Sequence, residues 1–214
     1  MNFFKTPQLL KKVYPNLTWD RFEETSEKEI FLTFDDGPMP EITDFVLDIL
    51  AGYQARATFF VIGNNVQKHP EVFKNIMANG HRIGNHTFHH LNGWKTSNAD
   101  YYNDVSACQL TMTEAGFNTP NNEKGLMRPP YGKIRNAQIK YLKQIYNIVM
   151  WDVLSGDFDQ DFAGDRCLRK SIQHTKPGTI IIFHDSHKAA KNLKYVLPRY
   201  IENFAEQEYT FASL

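Results

Sequence analysis

The chain has 214 residues, with 24 Lys plus Arg against 24 Asp plus Glu, 42% hydrophobic residues and 22% charged ones. That length suits one domain with a sizeable core, and the composition is that of an ordinary globular protein. A formal net charge of zero gives no basic footprint for a nucleic-acid backbone and no polybasic membrane patch, and it favours a neutral polymer or a small substrate.

Residues 1–27 mix apolar and charged positions without a clear period. They are expected to form an N-terminal extension packed on a domain over 28–214. They hold no apolar stretch of signal-peptide length and no small-residue cleavage site. No segment approaches the roughly 20 apolar residues needed to span a bilayer. As written, the chain is expected in the cytoplasm, or outside the cell if a leader has been removed.

Strand-like runs follow at 29–34, 57–62, 81–85, 125–130, 147–153, 179–184 and 209–214, rich in β-branched and aromatic residues. Between them lie segments with helical spacing, 41–52, 65–79, 98–116, 134–145, 165–175 and 189–206. In the first, Ile42, Phe45, Val46, Ile49 and Leu50 make one apolar face. About seven strands and six helices in alternation predict a parallel α/β protein, an open sheet or a barrel, with function gathered at the C-terminal ends of the strands. Cys108 and Cys167 are too few for a disulfide scaffold and lack zinc-ribbon spacing, so both are expected as buried thiols.

The strand ends carry the chemistry. The first closes on Asp35-Asp36-Gly37-Pro38, and adjacent carboxylates at the mouth of an apolar strand call for a cation or a shared proton. The third runs into His86-Thr87-Phe88-His89-His90. Histidines four apart fall on one side of a helical turn, and two histidines with a carboxylate make an open zinc-type site. Thr87 would fix that loop, and His89 would point away. The fourth delivers Arg128, whose planar fork can hold a carboxylate bidentately. Further on come Trp151-Asp152, Asp157-Phe158 and, closing a run of three isoleucines, His184-Asp185.

These residues resemble the polysaccharide deacetylases of NodB-homology type (carbohydrate esterase family 4). The five motifs stand in order as TFDDGP (33–38), HTFHH (86–90), RPPYG (128–132), WDVLSGDF (151–158) and IFH (182–184), with RATFFVIG (56–63) and GHRIGNH (80–86) between them. The resemblance implies an α/β fold, a distorted (β/α) barrel with fewer than eight parallel strands. It implies Asp35 as general base, and Asp36, His86 and His90 as ligands of one divalent ion, usually zinc, with cobalt, nickel or manganese as alternatives. It further implies that Arg128 holds the base, that the Tyr131 amide helps stabilise an oxyanion, and that His184 is the general acid, tuned by Asp157. Two departures from the family pattern, Leu154 and Phe158 in the fourth motif, leave Asp152 as a rival for that tuning role. Trp94 and Tyr131, with Tyr101 as a further aromatic, are candidates for lining a sugar groove.

The expected activity is removal of acetyl groups from an N-acetylated carbohydrate of the chitooligosaccharide or peptidoglycan type. An acetylxylan-type esterase or a non-sugar amidohydrolase would use the same residues. A non-catalytic carbohydrate-binding protein would have lost a ligand, the base or the acid, and none is lost here.

Overall fold

Along β1 (Glu29–Asp35) successive side chains alternate in direction. Ile30, Leu32 and Phe34 enter the largest apolar cluster, while Phe31 enters a smaller one with Phe60, Ile180 and Leu214. The computed structural model describes residues 4–25, 27–119 and 123–214, so residues 1–3 and 26 of the expected extension lie outside the described residues. β2 (Thr58–Val61) and β7 (Ile180–His184) split in the same way. Phe59, Val61, Ile181 and Phe183 face the large cluster, which also takes Val46 and Leu50 from α2 (Ile42–Gly52) and Leu193 and Leu197 from α8 (Ala190–Ala205). Each such side chain contributes about 1.5–3 kcal/mol by leaving water. The helices therefore clothe the outer face, and Thr33, Asp35 and His184 are left for the inner one.

The strand path is β5-β4-β3-β2-β1-β7-β6, with β3 at Arg82–Asn85, β4 at Gly125–Met127, β5 at Tyr146–Ile148 and β6 at Val153–Leu154. All pairings between these strands are parallel. A short β8 (Thr210–Ala212) pairs with the first half of β1. The sheet curls into the expected barrel-like form, a half-barrel on a seven-strand path. Its two edges, β5 and β6, are consecutive in sequence, so the chain crosses the gap between them through residues 149–152. The single strand expected over 147–153 is thus two strands on opposite edges.

The N-terminal segment sits over that seam. Leu154 donates its backbone N–H to Phe4, Thr6 to Asp152, Thr18 to Ile148, and Met150 to Thr18. Covering both edges removes the unpaired backbone groups on which another chain could template. Its helix α1 (Gln8–Val13) has no counterpart in the sequence reading.

The helix expected over 65–79 is broken into α3 (Gly63–Lys68) and α4 (Pro70–Ala78), because Pro70 lacks an N–H and serves as the first residue of the second helix. Helices α5 (Asn98–Glu114), α6 (Asn136–Leu142) and α7 (Gly164–His174) complete the set. Cys108 and Cys167 are free and buried. Tyr101, a candidate groove aromatic, is instead fully buried beside Val105 and Met127. Among the described residues no helix is long and apolar enough to cross a membrane.

Candidate active site

Parallel pairing sets Asp35 of β1 directly beside His184 of β7, on the inner face at the C-terminal ends of both strands. Asp36 follows with φ of 80°, which turns its carboxylate toward the loop after β3. There Asp36 Oδ1 lies 3.6 Å from His86 Nε2 and 3.2 Å from His90 Nε2. One donor atom from each of the three lies within 4.8 Å of the others. The Nδ1 atoms are occupied elsewhere. That of His86 is 2.8 Å from the Arg128 carbonyl oxygen, and that of His90 is 3.1 Å from the Tyr131 hydroxyl. Such bonds fix each ring and leave Nε2 free to ligate. This donor set fits a divalent ion.

The convergence does not come from a helical turn. Residues 86–90 are irregular, with Thr87 at φ 64° and His90 at φ 58°. Four of the seven non-glycine residues with positive φ among those described are Asp36, Thr87, His90 and Tyr131, so the backbone strain is concentrated at this site. Buried side chains hold the loop in place. Asn85 Oδ1 accepts from Thr87 N–H, Asp104 Oδ2 accepts from the N–H groups of Phe88 and His89, and Thr87 Oγ1 accepts from Leu91 N–H. His89 points outward onto Asp104. Asp104 belongs to α5, and nothing in its sequence neighbourhood signals this role.

Arg128 is fully buried. Its Nη1 donates to Asp35 Oδ1 at 2.7 Å and to Thr33 Oγ1 at 2.8 Å, while Nη2 and Nε reach the carbonyls of Met150 and Val149. Its hold on Asp35 is therefore through one nitrogen, not bidentate. The remaining donors stitch β1 to the chain crossing the seam, and the guanidinium stacks on Phe60 at 4.1 Å.

Asp157, not Asp152, stands against His184. Its Oδ1 is 2.8 Å from His184 Nδ1. Asp152 is taken up by the ammonium groups of Lys5 and Lys11. Burial opposes the charged imidazolium of His184, but Asp157, with Asp36 and Asp35 behind it, raises its pKa to about 9. Burial drives His86 down to about 4. Burial also disfavours the Asp36 carboxylate, yet the His90 hydrogen bond and the surrounding histidines hold it well below the usual range.

Asp185, next to His184 in sequence, also reaches the site. It accepts from Gly37 N–H at 3.0 Å and from Thr43 Oγ1 at 2.6 Å. A Cβ at position 37 would lie 2.0 Å from its Oδ2, so the Asp36-Gly37 turn needs glycine there to approach so closely. The only signal in the sequence was its adjacency to His184.

Above these groups opens a cleft of about 810 Å³ lined by Asp35, Asp36, His86, His90 and His184. Trp94 and Tyr131 are on its wall, 58% and 59% exposed. Leu154 and Phe158, the departures in the fourth motif, also line it, and the Phe158 ring meets His184 edge-on at 5.0 Å.

A curled parallel sheet thus gathers at its strand ends an Asp-His-His group with the spacing to hold a metal ion. Residues 22–147 match the polysaccharide deacetylase family, and the chain belongs to it. It is 33% identical over 210 residues to a peptidoglycan-N-acetylglucosamine deacetylase of Bacillus cereus, covering 96% of this chain and 95% of that protein. It is 32% identical to a chitooligosaccharide deacetylase of Bradyrhizobium over 75% of this chain and 72% of that one. Other curated relatives are longer, and the chain spans 34% of a Listeria monocytogenes peptidoglycan deacetylase. Its fold superposes with a TM-score of 0.86, at 29% identity, on a peptidoglycan N-acetylglucosamine deacetylase crystallised with 4-naphthalen-1-yl-N-oxidanyl-benzamide, covering 98% of this chain and 95% of that one.

Proposed function

We propose that the protein hydrolyses the acetamide of N-acetylhexosamine units in a peptidoglycan- or chitin-type saccharide. The observation that carries this reading is the Asp36-His86-His90 group, with Asp35 and His184 paired on neighbouring strands beside it. Zinc suits one carboxylate and two imidazoles that leave a coordination position open. When bound, such an ion supplies Lewis acidity to the acetyl carbonyl and lowers the pKa of a water.

This chain's own residues do the rest. Asp35, held by Arg128, accepts a proton from the attacking water. The Tyr131 amide donates to the tetrahedral oxyanion. Asp157 fixes His184 through Nδ1, so its proton at Nε2 passes to the departing sugar amine. The products are acetate and a free amine. The similar peptidoglycan deacetylase was crystallised with a hydroxamate, a group that chelates metal ions.

Acetate release from chitooligosaccharides, peptidoglycan and acetylxylan, with zinc, cobalt, nickel and manganese in turn, tests the reading. Release from the first two with little from acetylxylan is expected. Activity confined to acetylxylan would replace the amidase by an esterase.

A further inference from the structure

We propose that residues 4–20 form a subsite for a second, uncharged pyranose ring of the same saccharide, remote from the reacting acetamide. The proposal rests on the deacetylase reading and adds to it where the chain length of the substrate is sensed.

The cleft that holds Asp36, His86 and His90 runs without interruption to Thr6, Pro7, Leu10, Tyr14, Leu17 and Trp19. Its volume of about 810 Å³ lies toward the top of the roughly 300–1,000 Å³ typical of small-molecule sites, leaving space beyond one ring. α1 contributes no buried residue. Leu10 is 40% exposed, and Tyr14 is half-buried. Apolar and aromatic surface turned into a cleft suits the C–H faces of a sugar.

Charge selects among occupants. None of the six lining residues is ionisable to a cation, Lys5 and Lys11 are turned away onto buried Asp152, Lys12 is not on the cleft wall, and the lysines that do line the cleft, Lys133 and Lys188, belong to other segments. A phosphate or a carboxylate-bearing peptide would find no counter-charge on these six residues, whereas a neutral ring needs none.

The wall is also rigid. Thr6 Oγ1 donates to the Trp151 carbonyl at 2.8 Å, and Trp19 Nε1 to that of Tyr14 at 3.0 Å. Leu17 and Trp19 are buried among Ile139, Ile148 and Met150. A preformed surface loses little ordering entropy on binding. The family match begins only at residue 22, so this wall lies outside the matched region.

The test compares kcat/KM of the zinc-loaded enzyme on N-acetylglucosamine and on its β-1,4-linked tetrasaccharide. Loss of apolar contacts in Leu10→Ala/Tyr14→Ala should lower the tetrasaccharide-to-monosaccharide ratio about tenfold. Leu9→Ala, 74% exposed and off the cleft wall, should leave the ratio unchanged. An unchanged ratio in the double variant, or equal loss on both sugars, overturns the subsite while leaving the deacetylase reading intact. If the wild type hydrolyses aryl acetates but no saccharide, the deacetylase reading itself falls, and the subsite with it.

Discussion

The Asp157 carboxylate grips His184 twice, through Nδ1 and through the backbone N–H, each at 2.8 Å. The second bond fixes where the histidine is, and the first fixes which nitrogen faces the cleft. Asp157→Asn keeps the shape but removes the charge that favours the imidazolium. The alkaline limb of the kcat/KM profile is expected to move to lower pH by about a unit or more. Metal content should not change. Asp152→Asn should leave the limb in place, since Asp152 is bound to Lys5 and Lys11.

The adjacent aspartates should separate cleanly. Asp36→Ala and His90→Ala each remove one of three protein ligands, so both should lose zinc as read by elemental analysis. Asp35→Asn removes the base alone. It should retain zinc and lose about 10²–10⁴-fold in kcat. An empty site in Asp35→Asn with a full one in Asp36→Ala would reverse the assignment.

Arg128→Met deletes a buried cation and leaves Asp35 and two carbonyls without their donor. A loss of about 3–5 kcal/mol in urea unfolding is expected, together with loss of turnover. Arg128→Lys should recover little of either, because a single ammonium cannot span Asp35, Thr33, Val149 and Met150.

The metal-free protein should lose stability as pH rises. His184, ordinarily near 6.5, is raised to about 9 although burial opposes it. Its contribution is complete below about 6.5 and is lost as pH passes 9. Burial, with Asp36 adding to it, pushes Asp185 from 3.8 up to about 8, so its contribution is lost between those values in the same direction. The thermal midpoint should fall between pH 6.5 and 9, less steeply in Asp157→Asn. Zinc should weaken the trend, since its charge offsets that of Asp36. A midpoint that rises over this window would contradict the account.

Asp152→Ala should free the N-terminal segment before it affects the sheet. Lys5 and Lys11 lose their buried partner, though Lys11 keeps Asp20. Limited proteolysis should then cut within residues 4–20 under conditions that leave the wild type whole, while the rest of the chain persists.

Much of the inner face was legible in the sequence because strand alternation is local. Phe31, Thr33 and Asp35 share one face of β1 and Ile30, Leu32 and Phe34 the other, so once the strand is recognised a period of two places Asp35 away from the large packed cluster. The motif residues fell just after apolar strand runs, where parallel α/β proteins gather their function, and parallel pairing then set Asp35 beside His184. What the sequence could not contain were contacts between distant segments whose partners carry no periodic mark. The run 147–153 read as one strand, since nothing local says that Tyr146–Ile148 and Val153–Leu154 border opposite edges of a curled sheet. His86 and His90 suggested a helical turn, but their approach depends on positive φ at Thr87 and His90 held by Asp104 from another element. Asp157 kept Asp152 as a rival until packing put the first against His184 and the second under two lysines of the N-terminal segment. Local periodicity is encoded in neighbours along the chain, whereas the pairing of buried charges is decided only when distant segments compete for the same low-dielectric space.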